Sequence, residues 1–378
     1  MTGVVGKITT LAELAGEHSM TIEQLRSPLQ VGKLRLKNRV VMAPMTRSRA
    51  SQNDDCVSDI HELYYAQRAN AGLIITEGTH PTFDGKGYNR TPGICNNAHV
   101  AAWSRVTDAV HEAGGLIACQ LMHCGRVGHP DNKAKGTRTV APSAIAARAE
   151  IFTAGGMKAM PTPEPMTASD IEAVVSDYGR AAERCLQAGF DGVELHCASG
   201  YLPGQFLASG SNHRSDEYGG SLHNRLRFIE RVIEALDSAI GVARIGLRIS
   251  PGNPYNDHVD ANPEKTYGAL LDLAELKGVA WIHAIRMPST GIDSLALSRA
   301  HYSGVLIGSD SYTADEAGAS IAEGAVDAVS FGRLYIANPD LVRRFQQGGP
   351  FNDMDKRTIY GGEGAAGYCD YPMLSDDA

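Results

Sequence analysis

The sequence predicts an α/β fold, a single (β/α)8 TIM barrel. Three observations carry this. Eight short apolar runs recur along the chain, and each is continuous rather than alternating, as expected for parallel strands buried on both faces. Amphipathic, helix-like stretches lie between them, so strands and helices alternate. The G-x-G-x-x-G that a doubly wound open sheet would carry after its first strand is absent. A length of 378 residues fits one large barrel and buries a sizeable core.

Taken in order, residues 1–24 read as a flexible N-terminal extension and 25–378 as one domain. The first 19 residues, up to Met20, lack the cationic start and long apolar centre of a signal peptide and read as a loose tail. "MTIEQLRSPLQVGKLRLKN" (20–38) predicts a short hairpin closing the barrel floor. The strands are then "NRVVMAPM" (38–45), "GLIITEG" (72–78), "GLIACQLMH" (115–123), "GVELHCA" (192–198), "RIGLRIS" (244–250), "WIHAIR" (281–286), "GVLIGS" (304–309) and "AVSFGR" (328–333). "NNAHVAAWSRVTDAVHEAG" and "ASDIEAVVSDYGRAAERCLQAG" each predict a helix stopped by glycine, and Ser169 is placed to cap the second. The stretch 125–168, with its "KAMPTPEPMT", is a long excursion after strand 3 and a candidate lid above the barrel.

Bulk properties narrow the function. A formal net charge of −8 argues against broad phosphate-backbone binding, so no nucleic-acid partner is expected. No apolar run approaches the ~20 residues that would span a bilayer, and no membrane partner is expected. Seven cysteines, an odd number without C-x-x-C, read as free thiols in a reducing compartment, which points to the cytoplasm.

In such barrels chemistry sits at the C-terminal ends of the strands. Nearly every strand here ends in polar or glycine residues: Thr46 and Arg47, Glu77 and Gly78, Gln120 and His123, His196 with Ser199 and Tyr201, Arg248, Gly308 and Ser309, Gly332 and Arg333. A lone histidine at a strand end is more often a structural residue than a catalyst. Arg248 is harder to set aside, because a buried arginine costs several kcal/mol unless it meets an anion or polarised acceptor. The loops after strands 7 and 8 hold the usual phosphate position of these barrels. His123 and His196 could instead be metal ligands, but no H-x-H or H-E-x-x-H accompanies them, so no metal site is assigned.

With those residues in view, the chain resembles the old yellow enzyme family, FMN-dependent ene-reductases on this barrel, and within it the bacterial branch that reduces enones, maleimides and nitrate esters. The likeness rests on "NRVVMAPMTRSRA", "YYAQRANAGLIITEGT", "GYNRTPGI", "QLMHCGRVGHP", "AGFDGVELHCASGYLPGQFL", "NHRSDEYGGSLHNRLRF", "VARIGLRISP" and "VSFGRLYIANPDLVRRF", and it runs from about Leu25 to "YGGEGAAGYCDYP". The resemblance implies tightly bound, non-covalent FMN and NADPH or NADH as hydride donor. Pro44, Met45 and Thr46 would surround the flavin, with Thr46 at O4. Gly78 and Gln120 would lie on the pyrimidine side, and Arg248 by N1 and O2. Gly332 and Arg333 would hold the phosphate, with Ser311 near it, Ser309 would also contact the cofactor, and Tyr360 would pack near the ring. His196, which the resemblance also places against the cofactor, would bind the substrate carbonyl with Ser199, and Tyr201 would protonate the α-carbon. Tyr88 and Met122 would line the substrate pocket. The partner is then a small electron-poor alkene, and the enzyme a monomer or homodimer.

The chain departs from the family pattern in places. Ser199 stands where asparagine or histidine is usual, which places more of the carbonyl binding on His196 and weakens activity on simple enones. Met122 replaces a common tryptophan and widens the pocket. Ser311 stands for a glycine near the phosphate, and no residue roles carry over to the loop at 290–302. Nitrate-ester or nitro reduction, another flavin barrel acting on a hydroxy acid, and a flavin-binding barrel of weakened activity are the alternatives. A metal hydrolase ranks behind them.

Overall fold

The structure is a computed structural model and describes residues 22–375. The expected tail falls almost wholly outside these residues. Ile22, the first described residue, is 8% exposed and joins the main core, so packed structure begins ahead of residue 25.

The chain enters through a hairpin, β1 (Leu29–Val31) and β2 (Leu34–Leu36), paired antiparallel. Gly32 makes its turn at φ +53, where a Cβ would lie 2.1 Å from the Ala243 carbonyl oxygen, so only glycine fits. Val31, Leu34 and Leu36 pack with Val41, Leu73, Ile75, Ala118, Trp281, Ile307 and Ala328, residues of the barrel strands. This cluster is the barrel floor that the apolar hairpin residues require.

The barrel strands are β3 (Val40–Met42), β4 (Leu73–Ile75), β5 (Ile117–Leu121), β10 (Gly192–His196), β11 (Ile245–Ile249), β12 (Trp281–Ile285), β13 (Val305–Ser309) and β14 (Ala328–Phe331). They pair in parallel and close in the order β10-β11-β12-β13-β14-β3-β4-β5. All eight expected strands are present. Helices α1 (Asp59–Ala66), α2 (Asn97–Glu112), α3 (Ala168–Gln187), α4 (Leu202–Leu207), α5 (Leu222–Ile240), α6 (Pro263–Lys277), α7 (Ser294–His301), α8 (Ala314–Ala322), α9 (Arg333–Ala337) and α10 (Leu341–Gln347) complete the alternation. Glycine closes α2 and α3 as expected, through Gly114 at φ +75 and Gly189 at φ +88. The cap of α3 is Thr167, not Ser169. Thr167 Oγ1 accepts from the Asp170 N–H and the Asp170 carboxylate accepts from the Thr167 N–H, a reciprocal box that Ser169, two residues later and already inside the helix, cannot make.

The excursion after β5 holds two small pairings, β6 (Val140–Ala141) with β9 (Glu164–Pro165) and β7 (Glu150–Thr153) with β8 (Gly156–Ala159). Ala147, Ile151 and Met160 from it pack with Met122, Cys124, Val127 and Tyr201. The excursion therefore sits on the C-terminal mouth of the barrel. All seven cysteines are free thiols.

Candidate functional site

Parallel register brings distant residues into layers. Gln120 lies beside Glu194, and His196, Arg248 and His283 stand side by side on β10, β11 and β12. Gln120 Nε2 donates to Glu194 Oε1 at 2.8 Å. His283 Nδ1 and Trp281 Nε1 reach Glu194 Oε2 at 2.8 and 3.2 Å. Arg248 Nη1 lies 2.6 Å from His283 Nε2, and Arg248 Nη2 donates to Ser309 Oγ at 3.3 Å. The polarised partners that a buried arginine demands are thus His283, Ser309 and, through the imidazole, Glu194. Burial alone would raise the Glu194 carboxyl, but His283, Arg248 and the Trp281 N–H outweigh it and bring it down to about 2. Burial and Arg248 push His283 down to about 4, so the imidazole is neutral.

At the mouth, the Ala198 N–H donates to His196 Nδ1 at 3.2 Å. Nδ1 is therefore the acceptor, and Nε2 carries the proton and is free to donate. Burial, with Arg248 adding to it, lowers His196 to about 3, which keeps it a neutral donor. The Tyr201 ring stands edge-on to His196, centroids 4.7 Å apart, and its hydroxyl is 3.1 Å from that of Tyr88. Burial pushes the Tyr201 phenol well up, so it is protonated. Ser199 adopts φ +58. Its N–H donates to Ser250 Oγ at 3.0 Å and its carbonyl accepts from Asn256 Nδ2 at 2.9 Å, so its backbone is held from both sides.

Around this centre, a Cβ on Gly78 would meet Met122 Cε at 2.4 Å, so Met122 occupies the space that glycine leaves. A Cβ on Gly332 would meet Met45 Sδ at 3.3 Å, which places the strand 1 and strand 8 ends together. Pro44, Met45 and Thr46 are half-buried at the rim, while the neighbouring Arg47 is buried. Arg47 donates to the carbonyls of Ile359 and Gly367 at 2.9 and 2.8 Å and ties the C-terminal segment to β3. Tyr360 lies beside that tie and is 72% exposed, more open than a ring-packing residue was expected to be. Arg333 Nη2 donates to Ser311 Oγ at 3.1 Å and sits 3.4 Å from Asp310 Oδ1. Asp310 and Ser311 both adopt left-handed backbone, φ +79 and +56.

His123, the other histidine singled out as a possible ligand, is buried, and its Nδ1 accepts from the Gly125 N–H at 3.1 Å. Among the described residues no group of three or more His, Cys, Asp or Glu is placed to hold a metal ion. Glu77 is fully buried, and burial pushes its carboxyl up to about 7. Sequence reasoning missed Glu194, His283 and Asp310. A charged residue inside an apolar run was the available signal for the first, as it was for Arg248.

Residues 24–352 match the model of the NADH:flavin oxidoreductase / NADH oxidase family. The chain belongs to the old yellow enzyme family. It is 43% identical to the probable flavin mononucleotide-dependent alkene reductase of Leishmania infantum, over 94% of this chain and 99% of that one. It is 36% identical to 12-oxophytodienoate reductase 2 of Arabidopsis thaliana, over 94% of this chain and 96% of that one. Among solved structures, morphinone reductase in complex with tetrahydroNAD superposes with a TM-score of 0.89 at 41% identity, covering 93% of this chain and 98% of that one. The old yellow enzyme homologue of Zymomonas mobilis gives 0.88 at 37% identity, covering 93% and 99%. The family is FMN-dependent, its members are flavin ene-reductases, and this chain is an enzyme of that kind.

Proposed function

We propose that the protein reduces the activated C=C bond of α,β-unsaturated carbonyl compounds, with NADH or NADPH as electron donor and tightly held FMN. The donor set fits that cofactor. Gln120 and Arg248 offer an amide and a cation on one side, and Arg333 with Ser311 offers donors to a phosphate. FMN held there would supply hydride chemistry between the nicotinamide and the alkene.

The chain's own residues do the rest. Arg248 would favour negative charge on the ring that it faces. His196 donates from Nε2 to the substrate carbonyl oxygen, where negative charge grows in the transition state. Ser199 adds a second, shorter hydroxyl donor. Tyr201 gives its phenolic proton to the α-carbon, an atom basic enough to take it once the enolate forms. Met122 and Tyr88 bound the pocket, and the excursion over the mouth limits water. The observation that carries this reading is the pairing of a neutral, Nε2–H His196 with Tyr201 at 4.7 Å between ring centroids.

The short side chain of Ser199 favours a second reading, nitrate-ester or nitro reduction, in which a carbonyl clamp matters less. Anaerobic incubation of FMN-loaded protein and NADPH with 2-cyclohexenone tests the first. Cyclohexanone formed in step with NADPH consumed supports it. Nitrite release from a nitrate ester without enone reduction supports the second, and neither product overturns both.

A further inference from the structure

Below the residues just assigned lies a second polar layer that the mechanism does not use. Glu194 is fully buried in the barrel, yet three donors converge on it: Gln120 Nε2, Trp281 Nε1 and His283 Nδ1. A carboxylate only accepts, so the polarity of each partner is fixed. Gln120 must present its NH2 to Glu194, which leaves Gln120 Oε1 turned the other way. His283 must place its proton on Nδ1, which leaves Nε2 to accept from the Ser330 hydroxyl at 2.7 Å, while Arg248 Nη1 lies against the ring, 2.6 Å from Nε2 and 2.8 Å from Nδ1. The carboxylates whose charge acts on Arg248 are Glu194 and Asp310, the latter at the rim. Both residues expected on the pyrimidine side of the flavin thus hang from one buried carboxylate.

We propose that Glu194 is a positioning residue that sets the flavin potential: it fixes Gln120 directly and Arg248 through His283, and its charge offsets that of Arg248. The inference rests on the reading that FMN lies against Gln120 and Arg248. An isolated buried guanidinium would stabilise the anionic reduced flavin strongly. A carboxylate held behind it moderates that field and keeps the reduced flavin able to give up its electrons to an alkene. The neutral imidazole transmits orientation without adding a second cation.

The test is an anaerobic photoreduction of wild type and Glu194→Gln against a reference dye, read at equilibrium at neutral pH. The expected result is a positive shift of the Glu194→Gln flavin by at least tenfold in the reduced-to-oxidised ratio, about 30 mV for a two-electron couple. Glu194→Asp, which keeps the charge, should stay within about threefold of wild type. His283→Leu gives an independent arm should Glu194→Gln fail to fold. It removes the imidazole that joins Arg248 to Glu194 and a main group holding the carboxyl down, so the carboxyl rises and the shift has the same sign. A merely structural role would lower FMN retention without moving the potential of the flavin that remains. Full FMN with an unmoved or negative shift overturns this inference alone. A wild-type chain that takes up no FMN overturns the inference together with the reading beneath it.

Discussion

Replacing Ser199 by asparagine should speed enone reduction. Ser199 sits on a backbone pinned from both sides, its N–H donating to Ser250 Oγ at 3.0 Å and its carbonyl accepting from Asn256 Nδ2 at 2.9 Å. The chain cannot move to bring a short hydroxyl closer to a substrate oxygen, so His196 is the main donor. One full oxyanion donor is worth about 2.7–4 kcal/mol, or about 10²–10³ in rate. A serine acting through a water keeps part of that, and the recovered part should be at least about tenfold, which corresponds to about 1.4 kcal/mol. Asparagine also tolerates the left-handed backbone at φ +58 better than serine, so the variant should fold. The assay is stopped flow: enzyme reduced photochemically is mixed with 2-cyclohexenone and flavin reoxidation is followed. Photochemical reduction isolates the alkene step from any effect on nicotinamide binding. An unchanged reoxidation rate in Ser199→Asn would refute the claim that position 199 limits carbonyl stabilisation.

Further predictions concern the acid, a buried carboxyl and the phosphate corner. Tyr201→Phe should slow reoxidation by enone by about 10²–10⁴ while NADPH still bleaches the flavin; stopped flow of the two half-reactions checks it. Glu77 is held at about 7 in the fold against an ordinary 4.5, so the native state binds its proton more tightly. Stability should therefore fall as pH rises from about 4.5 to about 7 and stay reduced above, by up to about 3 kcal/mol at 1.36 kcal/mol per unit. Denaturant melts should show Glu77→Gln gaining on wild type at pH 8 and not at pH 4. Asp310→Gly removes a carboxylate 3.4 Å from Arg333 and relieves a left-handed non-glycine residue. FMN titration of apoprotein should show about tenfold tighter binding, about 1.4 kcal/mol.

The eight strands were legible because burial on both faces leaves runs such as "GLIIT" and "GVELH" without polar alternation. The hairpin at 29–36 and the excursion were legible too, one from its place ahead of strand 1, the other from its length and prolines. The α3 cap was misplaced by two residues because Thr167 and Ser169 are both good caps, and only the partner three residues on, Asp170, decides between them. Within the site, Arg248 announced itself as a charge in an apolar run. Glu194 carried the same signal, yet its meaning lies in barrel register. Its partners Gln120, Trp281 and His283 are 74, 87 and 89 residues away in sequence. No local pattern links them until β5, β10 and β12 are side by side. The departure at Ser199 is visible only against the family motif. Its backbone restraint comes from beyond β11, from Ser250, which the sequence reading placed at the end of strand 5, and from Asn256, which it gave no role.

The most direct test of the central claim is an anaerobic visible spectrum of the purified, FMN-loaded chain, titrated first with NADPH and then with 2-cyclohexenone. The account predicts a flavin band that bleaches with NADPH and returns on adding enone. A band that bleaches and stays bleached would contradict the carbonyl and proton-donor roles given to His196 and Tyr201. A chain that shows no flavin band even after added FMN would contradict the cofactor site itself.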